Sequence, residues 1–107
     1  MLPKKNRALT KEVEQIFKEG RILNSPNLSF RYIKNNTKEV KISCLASKSV
    51  VKLAVKRNLL RRLGYKVLEK NIQLSPLGIT GVLVFKKYQD DILILSNEIK
   101  NIFSKIN

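Results

Sequence analysis

The chain contains no histidine. The commonest general acid–base group is therefore missing, and with it every Ser-His-Asp or Cys-His arrangement and every His-rich metal site. There is one cysteine, Cys44, which excludes an intramolecular disulfide and a thiolate metal cluster. In an alternating strand it reads as a core thiol. The four glycines, Gly20, Gly64, Gly78 and Gly81, are too dispersed for a phosphate loop or a dinucleotide fingerprint. Long apolar runs are absent as well. Stretches such as "ILIL" at 92–95 are far too short to span a membrane. The start, "MLPKKNRAL", has basic residues with no apolar run behind them, which is not a secretory signal. The expectation is a cytoplasmic protein with no membrane partner.

Acidic residues are scarce. Asp plus Glu total 8 against 22 Lys plus Arg, a net charge of +14. Glu12, Glu14, Glu19 and Glu98 fall on predicted helices, where a solvated structural role is expected. Asp90 and Asp91 stand together at a helix start, where capping explains them. The carboxylates thus suggest no protein-only nuclease. The positive excess makes the compact state repel itself, and a polyanion relieves that repulsion while releasing counterions. Nucleic acid is the first candidate partner; an anionic membrane surface, the second, would need exposed bulky apolar residues opposite the charges, whereas Leu60, Leu63 and Val67 are expected in the core.

The residues present suit one folded domain, residues 1–107. Its 43% hydrophobic content is too high for a disordered chain, though the core of so short a chain is modest. Val13, Ile16 and Phe17 form an apolar stripe between a Thr10 cap and Gly20. "LSFRYIK" at 28–34 and "VKISCLA" at 40–46 alternate in strand period, and read as an antiparallel hairpin turned by "NNTKE". Residues 52–70 read as the longest helix. Pro76 and Gly78 punctuate the stretch after it, "GVLVFKK" at 81–87 fits a buried strand, and a last helix starts at Asp90 or Asp91. The order is helix, strand, strand, helix, strand, helix, an α+β fold of helices packed on one small sheet.

On a helical wheel of residues 52–70, Leu53, Leu60, Leu63 and Val67 share one arc, expected to face the core. Arg57, Asn58, Arg61 and Arg62 fall opposite, with Ala54 and Tyr65. Lys48, Lys52, Lys56, Lys66 and Lys70 extend the positive field, and Glu69 is the one acid between 48 and 70. An ordinary solvated helix face mixes signs. Here Arg57/Arg61 and Arg62/Lys66 stack like charges, at a cost of a few tenths of a kcal/mol per pair in the isolated helix. Such a face favours a bound polyanion. Arginine suits RNA, through bidentate phosphate contacts and stacking on bases. Asn58 adds a neutral donor and acceptor.

"SKSVVKLAVKRNLLRR" at 47–62 resembles the signature of the bacterial ribonuclease P protein subunit family, Ser-Lys-Lys leading into Ala-Val-x-Arg-Asn-Arg-x-x-Arg-Arg. "LPKKNRAL" at 2–9 and "IFKEG" at 16–20 are similar to that family's start and its first helix end. Leu59 stands where the family has a further arginine, Ser49 where it has a second lysine, and Tyr65 where another arginine is common. The resemblance implies three helices on a three- to four-stranded sheet in α-β-β-(β)-α-β-α order, with a left-handed crossover, as in one ribosomal-protein domain. It implies an accessory subunit of an endoribonuclease that removes the 5′ leader of precursor tRNA. The catalytic centre and its magnesium then belong to the partner RNA, with no catalytic or metal-binding residue in the protein and one protein copy per RNA. The implied contacts to that RNA are Lys48, Lys52, Lys56, Arg57, Asn58, Arg61, Arg62 and Lys66. The leader would enter a cleft between the first helix and the sheet. Single strands stack on aromatics beside positive charge, which nominates Phe17, Phe30 and Tyr32, with Arg31 and Lys34 for phosphates. For Phe17 and Phe30, core packing is the competing role. The alternative function is another RNA-binding module, such as a ribosomal protein, with no processing role.

Overall fold

A computed structural model describes residues 10–35 and 37–106. The "LPKKNRAL" stretch lies outside them, as does the side chain of the expected Thr10 cap. The elements are α1 (Thr10–Glu19), β1 (Arg21–Asn24), β2 (Leu28–Lys34), β3 (Val40–Leu45), α2 (Ala54–Asn71), a short 3₁₀ turn (Ile72–Leu74), β4 (Ile79–Phe85) and α3 (Ile92–Ser104). The fold is α+β, with three helices on one mixed four-stranded sheet.

The sheet order is β1-β2-β4-β3. β1 pairs antiparallel with β2, β2 antiparallel with β4, and β3 parallel with β4. The expected hairpin of residues 28–34 and 40–46 is therefore corrected, because β4 lies between the two strands. The connection steps across the start of β4 and is fastened there. Asn35 N donates to Gly78 O at 2.7 Å, and Asn35 Nδ2 donates to Thr80 Oγ1 at 2.8 Å. Pairing on both edges suits β4, whose seven residues are buried on both faces except for Val84. The fourth strand, β1, is a four-residue edge strand with little alternation of its own. Parallel pairing of β3 and β4 requires a crossover connection, which α2 supplies.

One sheet face is closed. Leu28, Phe30 and Tyr32 from β2, Val40, Ile42 and Cys44 from β3, and Ile79, Leu83 and Phe85 from β4 share it, and all are buried. Helices α2 and α3 cover them with Leu60, Val67, Leu68, Leu95, Ile99, Ile102 and Phe103. Phe30 stacks on Tyr32 with centroids 5.7 Å apart and meets Phe103 edge-on at 6.0 Å. Gly64 allows α2 to come close. A Cβ there would sit 2.9 Å from Cys44 Sγ and 3.2 Å from Phe85 Cε1. A mid-helix glycine costs about 1 kcal/mol against alanine, which this packing offsets.

Around Gly64 the buried stripe of α2 is Leu60, Gly64, Val67, Leu68 and Asn71. The expected stripe holds only in part. Leu53 precedes the helix as its N-cap and is 62% exposed, Leu63 is half-buried, and Tyr65, expected on the basic side, is buried.

Glu98 departs from its expected solvated role. It is buried on α3, and its carboxylate accepts from Ser25 Oγ, from Asn27 N at 2.8 Å and from Asn27 Nδ2 at 2.7 Å. Burial alone would push the carboxyl up, but the hydrogen bonds from Ser25, Asn27 and Leu28 together outweigh it and hold Glu98 below its ordinary value. This carboxylate ties the β1–β2 turn to α3. Asp91 caps α3 as expected, accepting from Leu93 N at 2.9 Å and Ile94 N at 3.3 Å.

Candidate nucleic-acid interface

Two surfaces carry the candidate residues. The first is the solvent side of α2. At about 100° per residue, Asn58, Arg62 and Lys66 lie about 160° to 240° from the buried Leu60, and Arg61 lies on the flank. All four are exposed, as are Lys48, Lys52 and Lys56. Val55 and Leu59 lie between the polar residues and are 81% and 41% exposed. The first turn of α2 holds no acid, and its N-cap, Leu53, has no side-chain hydrogen bond to offer. Positive side chains at a helix N-terminus oppose the macrodipole. The sequence thus concentrates cations where the isolated helix gains nothing from them.

Arg57 stands apart from this set. It lies about 60° from Leu60, on the sheet-facing arc of the first turn. It is half-buried, and its Nη1 donates to Val51 O at 3.1 Å and to Lys52 O at 2.7 Å. The expected placement opposite the core is corrected. Arg57 closes the 47–53 connection against the helix start. Within that connection the Ser47 and Ser49 hydroxyls are 2.8 Å apart, and Val50 N and Val51 N donate to Ser47 O.

The second surface is the other face of the sheet. Helix α1 packs on β4 and β2 and covers part of that face, and Ile16 of the helix and Thr80 and Val82 of β4 are all buried. Beside α1 the face stays open. Phe17 is 43% exposed, and the Arg31 guanidinium lies 5.0 Å from its ring centroid. The strand register places Ile22, Asn24, Ser29, Ser43, Leu45 and Val84 on this same face, and none of them is fully buried. Of the five expected leader-cleft residues, Phe17 and Arg31 therefore meet. Phe30 and Tyr32 do not join them. Strand alternation turns both to the closed face, where Phe30 is 0% exposed and Tyr32 4%. An aromatic with no open ring face cannot stack on a base. Lys34, at the end of β2, is exposed on the Tyr32 side.

Residues that pattern reading passed over also come into view. Tyr88, in the β4–α3 connection, is 42% exposed, with Lys56 Nζ 5.7 Å from its ring centroid. The signal was an aromatic directly after Lys86 and Lys87. Partial burial and the Asp90 carboxylate, which accepts from the phenol at 3.4 Å, both raise the Tyr88 hydroxyl above its ordinary value. It stays protonated at neutral pH.

A family model described as Ribonuclease P matches residues 2–107. The chain belongs to the bacterial ribonuclease P protein family. Membership gives it a role in tRNA 5′-end processing, as a subunit of an endoribonuclease whose partner is ribonuclease P RNA. Solved structures carry the same fold. The ribonuclease P protein of Thermotoga maritima superposes with a TM-score of 0.83 at 20% identity, covering 94% of this chain and 97% of that one. Two structures of the Staphylococcus aureus ribonuclease P protein superpose as well. One has a TM-score of 0.78 at 15% identity, covering 94% of both chains. The other has a TM-score of 0.72 at 17% identity, covering 100% of this chain and 98% of that one. No curated protein sequence matches the chain. Among the described residues, no helix is long and apolar enough to cross a membrane.

Proposed function

We propose that this ribonuclease P protein docks on the catalytic RNA through the outer side of α2. Its open sheet face then receives the single-stranded 5′ leader of precursor tRNA. The observation that carries this reading is the clustering of Asn58, Arg61, Arg62 and Lys66, exposed together on a helix with no acid in its first turn. Arginine and lysine on one helix side suit the phosphates of a folded RNA, and each contact releases counterions. Lys48, Lys52 and Lys56 widen the same field. Phe17 under the Arg31 guanidinium supplies the second function, a ring for stacking beside a cation for the backbone.

The residue types are in keeping with the division of labour that the family resemblance implies. The chain has no histidine, and its buried carboxylate, Glu98, is consumed by structural hydrogen bonds. Cleavage is assigned to the RNA and to the magnesium that RNA holds. The protein neutralises charge and positions substrate, as one copy per RNA in the cytoplasm.

Filter binding to the cognate ribonuclease P RNA across a salt series tests the docking surface. Arg61→Ala and Arg62→Ala should each weaken binding and lower the log–log salt slope by about 0.7 to 0.9. Arg57→Ala should weaken binding with little change in slope, because its guanidinium already serves Val51 O and Lys52 O. Unchanged slopes for Arg61→Ala and Arg62→Ala would remove this side of α2 from the interface.

A further inference from the structure

Three features converge next to the first turns of α2, two of them, Lys87 and Tyr88, outside the motif that carries the family resemblance. Tyr88 presents an exposed ring, Lys56 sets its ammonium over that ring, and the exposed Lys87 precedes Tyr88 in the chain. The neighbouring charges are accounted for. Lys86 Nζ turns away to Ser25 O at 2.9 Å, Asp90 accepts from the Tyr88 hydroxyl at 3.4 Å, and Asp91 caps α3. The Lys56 contact fixes the ring beside the basic helix, so a ligand lying along α2 reaches both.

We infer that Tyr88 is a stacking platform for an unpaired base of the catalytic RNA, with Lys56 and Lys87 taking the adjoining phosphates. This rests on the docking proposed above and extends that surface from α2 onto the β4–α3 connection. An aromatic ring bordered by lysines is the arrangement that holds a nucleotide by stacking and charge together, with little dependence on base identity. RNA is favoured over an apolar protein partner because the ring is surrounded by cations. The site also bears on Leu59, where the family resemblance leads one to expect an arginine. The cation missing from α2 is offset by a neutral stacking contact at its edge.

The test uses the full chain and its cognate ribonuclease P RNA, with Tyr88→Ala, Tyr88→Phe and Lys56→Gln compared across a salt series. Tyr88→Ala should weaken binding by about 5- to 100-fold with an unchanged salt slope, since a ring and no charge is lost. Tyr88→Phe should stay within about twofold of the unaltered chain, because the π-face remains. Lys56→Gln should weaken binding and lower the slope by about 0.7. Thermal melts of all three should match the parent, since the ring and the lysine are exposed. Parent-like binding by Tyr88→Ala overturns the inference while leaving docking through α2 intact. So does a Tyr88→Phe loss as large as that of Tyr88→Ala, or a Tyr88→Ala loss confined to precursor tRNA. Failure of the parent chain itself to bind the RNA overturns the docking reading and this inference with it.

Discussion

The two faces of the sheet are built from the same strands, yet one is a core and the other a surface. On the closed face Leu28, Phe30 and Tyr32 of β2 and Val40, Ile42 and Cys44 of β3 alternate along their strands, and all are buried in the core shared with α2 and α3. On the open face the intervening residues are Ser29, Arg31, Ile33, Lys41, Ser43 and Leu45, and α1 covers only the part around Thr80 and Val82. The difference shows in two phenylalanines. Phe30 is enclosed between Tyr32, Phe103 and Gly81, whereas Phe17 lies at the edge of α1 under a guanidinium. One ring stabilises the fold and the other is available to a ligand, although both lie in ordinary apolar patterns.

The sharpest way to break this comparison is to truncate both rings. Phe30→Ala should cost about 3–5 kcal/mol of stability in urea unfolding, enough to unfold much of so small a domain. Phe17→Ala should cost less than about 1 kcal/mol in the same experiment, because the ring is already half open. Its effect should appear instead in affinity for precursor tRNA, a loss of about 1–3 kcal/mol that vanishes when the leader is removed from the substrate. Equal destabilisation by the two substitutions would place Phe17 in the core and end the distinction.

Glu98 sharpens the comparison from the side, because it ties the turn that starts β2 to a helix of the closed face. Glu98→Gln should cost about 1–3 kcal/mol at neutral pH, from the broken match to Ser25 and Asn27. Its folded carboxyl lies below the ordinary value, so its contribution is complete above the unfolded pKa of about 4.3. That contribution is lost as the pH falls through the folded value. The stability gap between the parent and Glu98→Gln should therefore narrow as the pH falls below the unfolded carboxyl value. A gap independent of pH would mean that the ionised carboxylate is not what holds the turn.

Much of this was legible in the sequence, and the parts that were not have physical causes. Period-two alternation located β2 and β3 and identified Leu28, Phe30, Val40, Ile42 and Cys44 as one-sided. Alternation says nothing about which strand lies alongside, so β4 between them was invisible. The apolar run of β4 was the available hint that it is paired on both sides. In α2 the periodicity was right and its phase was not. Extending the helix to residue 52 put Leu53 on the stripe, whereas the stripe is centred on Gly64, a residue with no hydrophobic signal, whose lack of a side chain sets the approach to Cys44 and Phe85. That shift carried Tyr65 inward and Arg57 toward the 47–53 connection. Asn58, Arg62 and Lys66 kept their outward positions because they lie far from the stripe, and Arg61, on its flank, is exposed as well. Phe17 and Arg31 were nominated together and do meet. Phe30 and Tyr32 had the right residue type on the wrong face. Glu98 and Tyr88 depend on partners distant in sequence, 73 residues away in the case of Glu98 and Ser25, which no local pattern contains.

The central claim is that this chain assists a catalytic RNA in removing the 5′ leader of precursor tRNA. Reconstitution with the cognate ribonuclease P RNA at low magnesium measures it directly. The account predicts faster cleavage at the mature 5′ end when the protein is added, with the stimulation reduced when Arg61 and Arg62 are both replaced by alanine. Cleavage by the RNA that is no faster with the protein than without it would contradict the account.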